Sequence, residues 1–202
     1  MGKAVSIFLA FVLLVAGVAA FWVVGEYNRL VAEEEGVTTA WAQVETSYQR
    51  RADLIPNLVA TVKGAAEFEQ ETLNQVIAAR SQATQVGIEA TPELLSDPAA
   101  FARFQQAQDG LSSALSRLLV VVERYPELKA VAAYQDLMVQ LEGTENRINV
   151  ERSRYNEAAR AFNTRIRRIP TSWLISWRGW PFAAKSYFAS QPGSAEVPKV
   201  EL

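Results

Sequence analysis

Four polar side chains that could do chemistry interrupt apolar stripes of helical spacing, one in each stripe. They are Glu34, Glu69, Gln108 and Glu145. If the stripes face one another in a bundle, these groups lie near one layer, where carboxylates cannot all stay charged without a nearby cation. Arg152, one heptad after Glu145, and Arg80 or Arg103 from neighbouring helices could supply that charge. The layer could fix helix register, could be solvated if the stripes are rotated, or could hold a divalent ion.

The residue types that most often do chemistry are absent. The 202 residues include no histidine and no cysteine, which removes the commonest general base, the commonest metal ligand and all thiolate chemistry. Metal sites in carboxylate bundles normally add Glu-x-x-His pairs, and no nucleophile–base pair or glycine loop takes their place. We therefore predict no catalysis, metal or cofactor. The formal net charge of −2 gives no indication of nucleic-acid binding.

The stretch from Tyr48 to Gly64, YQRRADLIPNLVATVKG, is charged and contains a proline within otherwise helical sequence. Asp53 can cap a new helix, and Pro56 is tolerated in a first turn because no intrahelical donor is lost there. This interpretation places a corner between two helices at DLIP. The alternative is a proline kink within one long helix, because short proline motifs do either.

The rest of the chain has the 3–4 spacing of apolar residues that is typical of helical bundles, without alternating or hairpin patterns. The clearest helix extends from about residue 127 to residue 168. Breaks are predicted at Asp53, at the polar connection TPELLSDP, before Pro126 and at Pro170. The fold class is therefore all-α, with four helices joined by short links in an antiparallel up-and-down bundle over residues 27–170.

Arg50 and Arg51 are predicted to lie at the bundle end far from the amino terminus, because the first helix would end there. The same end would receive Glu123 and Glu127. We expect ion pairs between these groups, which fix register more than stability because exposed pairs contribute only about 0–1 kcal/mol. The alternative is a tip that docks a partner, since arginine is enriched at interfaces.

Residues 4–24 carry no charge and have the roughly 20 residues needed to span hydrocarbon. Trp22 and Tyr27 have the position of an aromatic belt at the far interface. A cleaved secretory signal is the alternative, but its apolar core is shorter and the small-residue cleavage site here is weak. We predict a single-pass anchor over residues 1–26 in the cell (inner) membrane. Lys3 before the span favours an extracytoplasmic bundle.

An aromatic and basic segment, IRRIPTSWLISWRGWPFAAKSYF, follows the last predicted helix. Trp173, Trp177 and Trp180 share one helical face, and tryptophan beside basic residues is typical of segments that lie on anionic lipid. The basic residues are Arg165, Arg167, Arg168, Arg178 and Lys185. We predict that residues 171–190 lie at the membrane interface; the alternative is that the aromatic residues pack on the lower end of the bundle. Residues 191–202 are predicted to be a disordered tail.

Several stretches resemble the LemA family of bacterial membrane-anchored proteins. The most specific is QRRADLIPNLV at 49–59, preceded by YNRLV after the span and followed by VKG. YPELKA at 125–130 and LEGTENRI at 141–148 resemble the turn before the last helix of the family and that helix itself. The resemblance continues through Arg152, Tyr155-Asn156, Phe162-Asn163 and Pro170. Together these stretches cover nearly the whole chain.

The resemblance implies an N-terminal anchor and a four-helix bundle, with no established enzymatic activity. Members of the family occur beside HtpX-like membrane zinc proteases, and one branch serves magnetosome membranes. The chain departs from the family where relatives often read KGYAxHE. Here the sequence is KGAAEFE, with Ala65 and Phe68 in place of tyrosine and histidine.

We predict a non-enzymatic, membrane-anchored scaffold or adaptor of the cell envelope. Its expected partners are the lipid bilayer, other envelope membrane proteins such as an HtpX-like protease, and further copies of itself. The alternative is a membrane-remodelling or curvature-associated protein that acts by self-association and through the basic aromatic segment. The structural or partner-binding candidates are Arg50, Arg51, Asp53, Pro56, Glu69, Glu145 and Arg152. The membrane-interface candidates are Trp22, Tyr27, Trp173, Trp177, Trp180 and Tyr187.

Overall fold

A computed structural model describes residues 2–64, 69–86 and 92–189, and these residues form helices and no strand. The helices are α1 (Gly2–Lys63), α2 (Gln70–Gln85), α3 (Pro92–Ser96), α4 (Pro98–Val122), α5 (Pro126–Lys129), α6 (Ala132–Arg167) and α7 (Thr171–Arg178). Residues 180–189 form neither helix nor strand, and we call them the extended segment because residues 185 and 188 bind Asn163 and Asn156, which are seven residues apart on α6. The predicted all-α class is confirmed for this part of the chain. The tail predicted at 191–202 lies outside the described residues.

Helix α1 has 62 residues and is therefore about 93 Å long at 1.5 Å per residue. Its first part is apolar and fully exposed, and by length and composition it could cross a membrane. Trp22 lies exposed at the end of this apolar part, and Glu26 is the first buried residue after it. We call the end of the helices next to Glu26 the base and the opposite end, near Lys63, the tip.

The predicted corner at DLIP is wrong, because α1 continues through it without a break. Asp53 is exposed within the helix and accepts a hydrogen bond from Gln49 Nε2 at 2.8 Å instead of capping a new helix. Pro56 has no N–H for the carbonyl of Ala52, four residues earlier. Arg80 of α2 donates its Nε–H to that carbonyl at 2.8 Å. A side chain from the neighbouring helix thus satisfies the acceptor that the proline leaves free.

Helix α1 ends instead at Lys63, and α2 begins at Gln70. Helix α1 packs along α6 and α2, while α2 packs on α4. Helix α4 begins where the Asp97 carboxylate accepts the backbone N–H of Ala99 at 2.8 Å, a typical N-cap that is followed by Pro98 at the first helical position. The long last helix is divided, because α5 ends at Lys129 and α6 begins at Ala132.

Two apolar clusters fill the interior. The tip cluster contains Ile55, Leu58, Val62, Leu73, Val76, Ala83, Leu111, Ala114, Leu115, Leu118, Val122, Leu128, Tyr134 and Leu141. The base cluster contains Leu30, Val37, Trp41, Val44, Tyr48, Leu94, Leu95, Phe101, Phe104, Ile148, Tyr155, Ala159, Phe162, Phe182 and Phe188. Helices α1, α4 and α6 contribute to both clusters. Helix α2 completes the interior only at the tip, and the extended segment completes it at the base.

The connection TPELLSDP is therefore not simply polar. It contains the short helix α3, and Leu94 and Leu95 are buried in the base cluster. These two leucines cover α4 and the extended segment near the base, where α2 does not reach. Their burial explains why a short helix forms within a stretch that has prolines at both ends.

Candidate functional site

Arg51 forms a buried polar centre between the two apolar clusters, with only 1% of its surface exposed. Its Nη1 donates to Glu145 Oε1 and to Ser112 Oγ, both at 2.7 Å. Its Nη2 donates to Gln108 Oε1 at 2.7 Å and to the Gln108 carbonyl at 3.3 Å. The guanidinium also lies over the Tyr48 ring, 5.1 Å from its centroid. The fork geometry of arginine makes these four bonds possible from one side chain.

This centre connects four helices. Arg51 belongs to α1, Gln108 to α4 and Glu145 to α6, and Gln108 Nε2 donates to the carbonyl of Ala83 in α2 at 3.2 Å. The sequence-based placement of Arg51 at the tip beside Glu123 and Glu127 is therefore wrong. That placement followed from the predicted corner, whereas the unbroken α1 continues for twelve residues beyond Arg51. Glu123 instead pairs with Lys129 at 2.6 Å.

The predicted layer of four polar residues is correct only for Gln108 and Glu145, which meet at Arg51. Glu34 lies in the base half, where its Oε1 accepts from Lys185 Nζ at 2.6 Å. Glu69 is exposed near the tip and pairs with Arg124 at 2.7 Å. These two carboxylates sit at opposite ends because the turn between α1 and α2 lies about a dozen residues later than the predicted corner.

The remaining candidates of this group have separate positions. Arg50 is exposed and lines a cleft of about 540 Å³ between α1 and α6, whose floor is made of small residues such as Ser47 and Gly143. Arg152 is buried, lies 3.7 Å from the Asp109 carboxylate and covers the Phe188 ring at 4.6 Å from its centroid. It therefore compensates charge on α4 rather than at Glu145.

Two buried tyrosines of the base cluster, Tyr48 and Tyr155, differ in their hydrogen bonds. Tyr155 Oη donates to the carbonyl of Ser186 at 3.0 Å. The Tyr48 hydroxyl is buried and has no hydrogen-bond partner among the described residues. Burial raises the pKa of Tyr48 to about 12, although the charges of Arg152 and Arg51 oppose that shift. Burial also raises the pKa of Tyr155.

These pKa values predict that stability falls at alkaline pH. Because each folded-state pKa lies above the unfolded value of about 10, the stabilisation is complete below pH 10 and is lost as pH rises toward 12. Each tyrosine can contribute at most about 1.4 kcal/mol per pH unit. At pH 7 we expect Tyr48→Phe to be neutral or stabilising, because it removes an unpaired buried hydroxyl. Tyr155→Phe should cost about 0.5–1.5 kcal/mol.

Urea titrations of both variants at pH 7 and pH 11 measure these differences. Each phenylalanine variant should lose less stability between the two pH values than the parent chain does. Equal losses for the parent and both variants would contradict the assignment of the alkaline transition to these residues.

A second group of contacts joins the end of α6 to α1 at the base. Thr171 Oγ1 donates to the buried Glu26 Oε1 at 2.7 Å, and Arg165 bonds Glu33 while approaching Glu26 at 3.6 Å. Tyr27 packs edge-on against Trp180, with ring centroids 5.1 Å apart. The chain therefore returns to the point at which the exposed apolar part of α1 ends.

The aromatic residues beyond α6 divide into two sets. Trp173 and Trp177 of α7 are 74% and 77% exposed. Trp180 is half-buried, and Phe182 and Phe188 lie in the base cluster. The placement of residues 171–190 at the membrane interface stays a prediction: Tyr187 is 45% exposed, but Phe182 and Phe188 are buried, so for these two the alternative of packing on the bundle applies to the extended segment. It packs on the helices because its aromatic side chains fill space that α2 leaves open.

The basic residues divide in the same way. Lys185 is buried against Glu34, and Arg165 is bound to carboxylates of α1. Arg167, Arg168 and Arg178 are exposed beside α7, where the Arg178 guanidinium lies 5.6 Å from the Trp177 ring centroid. Exposed tryptophans and exposed arginines thus occupy the same end of the molecule as the apolar part of α1.

Sequence reasoning missed Asn156 and Asn163, which hold the extended segment, and Glu26, which anchors α7. Asn156 and Asn163 are seven residues apart on α6, and this heptad spacing of two polar residues within an apolar stripe was the available signal. Among residues 2–64, 69–86 and 92–189, no group of three or more carboxylates is arranged to hold a metal ion.

A family model described as the LemA family matches residues 40–202 of the chain. Magnetosome protein MamQ 2 of Paramagnetospirillum magneticum is 29% identical over 180 residues, which cover 82% of this chain and 65% of that protein. Magnetosome protein MamQ of Magnetospirillum gryphiswaldense is 28% identical with the same coverage. Protein LemA of Metamycoplasma hominis is 24% identical over 159 residues, 79% of this chain and 68% of that protein. The chain thus spans slightly less than two thirds of the MamQ relatives.

Neither LemA proteins nor the MamQ relatives are known enzymes.

Proposed function

Because the chain belongs to the LemA family, we propose that it is a non-enzymatic scaffold of the cell envelope, built as a four-helix bundle that stands on a membrane by two attachments. The first attachment is the apolar part of α1, which spans the bilayer once. The second is α7, which lies on the membrane surface with Trp173 and Trp177 in the interfacial layer. The bundle presents its sides and tip to other envelope proteins.

One observation carries this proposal: α7 begins beside the residue at which the apolar part of α1 ends. Thr171 bonds Glu26, and Trp180 packs on Tyr27. A membrane that surrounds residues 4–24 would therefore lie next to α7. Large exposed apolar side chains usually mark an interaction surface, and tryptophan beside arginine suits the headgroup layer of anionic lipid.

The cysteine-free chain allows a direct test of the second attachment. Trp173→Cys and Trp177→Cys are made separately in the full chain, labelled with an environment-sensitive dye and reconstituted into vesicles that contain anionic lipid. We expect blue-shifted emission and strong quenching by lipid-borne quenchers at both positions, because the side chains would leave water for the interfacial layer.

Val139→Cys supplies the matched control. Val139 is 71% exposed, similar to the two tryptophans, but it lies on α6 near the tip. Its dye should show the emission of a water-exposed label and little quenching. If the labels at 173 and 177 behaved like the label at 139, the second attachment would be refuted.

We further propose that the bundle lies on the extracytoplasmic side, as the single lysine before the span suggests. A Val120→Cys thiol lies on α4 near the tip, is 70% exposed and is outside the cleft between α1 and α6. It should then react with a membrane-impermeant maleimide on intact cells whose outer barrier is permeabilised. The cleft between α1 and α6, lined by Arg50 and Arg147, is the surface we propose for protein partners. An HtpX-like membrane protease is one candidate partner.

Similarity to the MamQ proteins, which are magnetosome proteins by name, favours a second candidate function. In this alternative, many copies associate on one membrane and stabilise its curvature through α7. The Trp173 and Trp177 labels do not distinguish the two functions, because both require the same contact. The shape of vesicles at high protein density distinguishes the two functions, since only the remodelling function should produce tubes or small vesicles.

A further inference from the structure

The extended segment is held by side chains that bind its backbone. Asn163 Nδ2 donates to the Lys185 carbonyl, and Asn163 Oδ1 accepts the Lys185 N–H, both at 2.8 Å. Asn156 binds Phe188 in the same way, at 3.0 and 2.9 Å. An asparagine amide has both a donor and an acceptor, so each of these residues binds both the N–H and the carbonyl of one residue of the segment.

The spacing of the two asparagines matches that of an extended peptide. Seven residues of α6 advance about 10.5 Å, and three residues of extended chain advance about 10 Å. Further hydrogen bonds hold the backbone of the segment, among them one from Arg152 Nη2 to the Ala189 carbonyl at 3.3 Å. Ser186 N–H donates to the Leu95 carbonyl at 2.8 Å, Tyr155 Oη donates to the Ser186 carbonyl at 3.0 Å, and Ala189 N–H donates to Gln105 Oε1 at 3.2 Å.

Side chains of the segment enter pockets at every third residue. Phe188 stacks on Trp41, with centroids 5.7 Å apart and planes within 6°, and also contacts Phe101 and Tyr155. Phe182 contacts Tyr27 and Phe162. Between them, Lys185 reaches Glu34 at 2.6 Å. The groove between α1, α4 and α6 thus selects aromatic, lysine and aromatic side chains at positions 1, 4 and 7 of an extended peptide.

We propose that this groove is a peptide-binding site, and that its ligand from outside the chain is residues 180–189 of a second copy. Binding through backbone hydrogen bonds, with side-chain pockets for specificity, is an established mode of peptide recognition. The segment of a second copy carries the same aromatic, lysine and aromatic side chains. Exchange of an identical segment remakes its groove contacts between two copies and is a low-cost route to a symmetric dimer.

The connection to α6 is long enough for this exchange. If α7 stays helical at about 12 Å and the three residues on each side of it are extended, this connection spans about 30 Å. Helices packed 8–10 Å apart form a body about 20–30 Å wide, so the segment can reach the groove of an adjacent copy. Gly179, with φ of 63°, supplies a left-handed turn immediately before the segment. The inference rests on the proposed function in one respect, because anchoring in one membrane would hold both grooves at the same height.

Thiol crosslinking tests the exchange in the full chain. One tagged chain carries Gln105→Cys, a second carries Ala189→Cys, and both are reconstituted together and treated with a short bis-maleimide. We expect a heterodimer whose crosslinked peptide joins positions 105 and 189, which neither chain can form alone. Asn156→Ala plus Asn163→Ala in the Gln105→Cys chain should reduce its yield by about tenfold. Asn146→Ala, an exposed asparagine on the same helix, should leave the yield unchanged.

A single chain with both cysteines provides the reference crosslink within one molecule. If that chain crosslinks and the mixed chains do not, the segment stays with its own chain and the proposal is overturned. A heterodimer that the asparagine changes do not reduce would also overturn it, because proximity without groove binding would then explain the product. Near-ultraviolet circular dichroism checks that each variant is folded. If the double asparagine variant is not, Asn156→Ala alone is used in its place. The crosslink yield does not depend on the quenching of the dyes at positions 173 and 177. Failure of the segment exchange can therefore be told apart from failure of the second membrane attachment.

Discussion

Arg51→Ala is expected to lower the free energy of unfolding by about 3 kcal/mol, the lower end of the cost of removing one partner from a buried ion pair, because the Glu145 side chain is 34% exposed. The substitution leaves the Gln108 side chain and Ser112 without their donor and opens a cavity against Tyr48. Arg51→Lys should recover little of this loss, because an ammonium group cannot reproduce the fork that reaches α4 and α6 together. Urea titration of the full chain in detergent micelles measures the difference.

Arg50→Ala is the matched control. It removes the same charge from the adjacent residue, but Arg50 is exposed, so the change should stay within about 0.5 kcal/mol. Glu145→Ala should also be strongly destabilising, since it leaves the Arg51 charge buried, and a double-mutant cycle should show coupling between the two residues. Similar small effects of Arg50→Ala and Arg51→Ala would show that the buried centre does not stabilise the fold.

Trp41→Ala is expected to cost about 3–5 kcal/mol as a large-to-small change in a packed core. Trp41 is fully buried and contacts the rings of Phe101, Phe104, Tyr155 and Phe188. Because it forms the face on which Phe188 stacks, its loss should also release the extended segment. Trypsin should then cut after Lys185, whose side chain is buried in the parent chain. Limited proteolysis read by mass spectrometry detects that fragment.

Trp177→Ala removes the same side chain from an exposed site and is the control for this prediction. It should leave both the unfolding free energy and the rate of cleavage after Lys185 unchanged in micelles. If Trp41→Ala destabilised the chain without faster cleavage at Lys185, the extended segment would be held mainly by the asparagines of α6.

The corner at DLIP shows where local signals mislead. Asp53 and Pro56 are good helix-start residues, and local rules alone favour a new helix there. The apolar stripe gave the opposite signal, because Ile55, Leu58 and Val62 continue its spacing of three and four residues across the proline, and Arg51 lies four residues before Ile55. A continuous stripe means a continuous helix with Arg51 facing inward. Only the tertiary structure supplies Arg80, which satisfies the carbonyl that makes proline unfavourable within a helix.

The prediction of a four-residue polar layer was wrong for Glu34 and Glu69 for a related reason. Its four members were aligned by counting residues from a predicted turn, so an error of about a dozen residues in that turn moved Glu34 and Glu69 to opposite ends. Gln108 and Glu145 still meet because both lie on helices whose ends were predicted within a few residues. A layer of side chains depends on the position of every turn, whereas a helix depends only on its own stretch of sequence.

The sequence alone determined the properties that depend on neighbouring residues: the all-α class, the apolar stretch of residues 4–24, the exclusion of histidine and cysteine chemistry, and membership of the LemA family. Only the tertiary structure decided which tryptophans stay exposed, where Arg51 is buried, and that an extended segment replaces α2 in the base half. These depend on contacts between residues far apart in the chain. Asn163 and Lys185, for example, are adjacent only because α6 ends and the chain turns back along it.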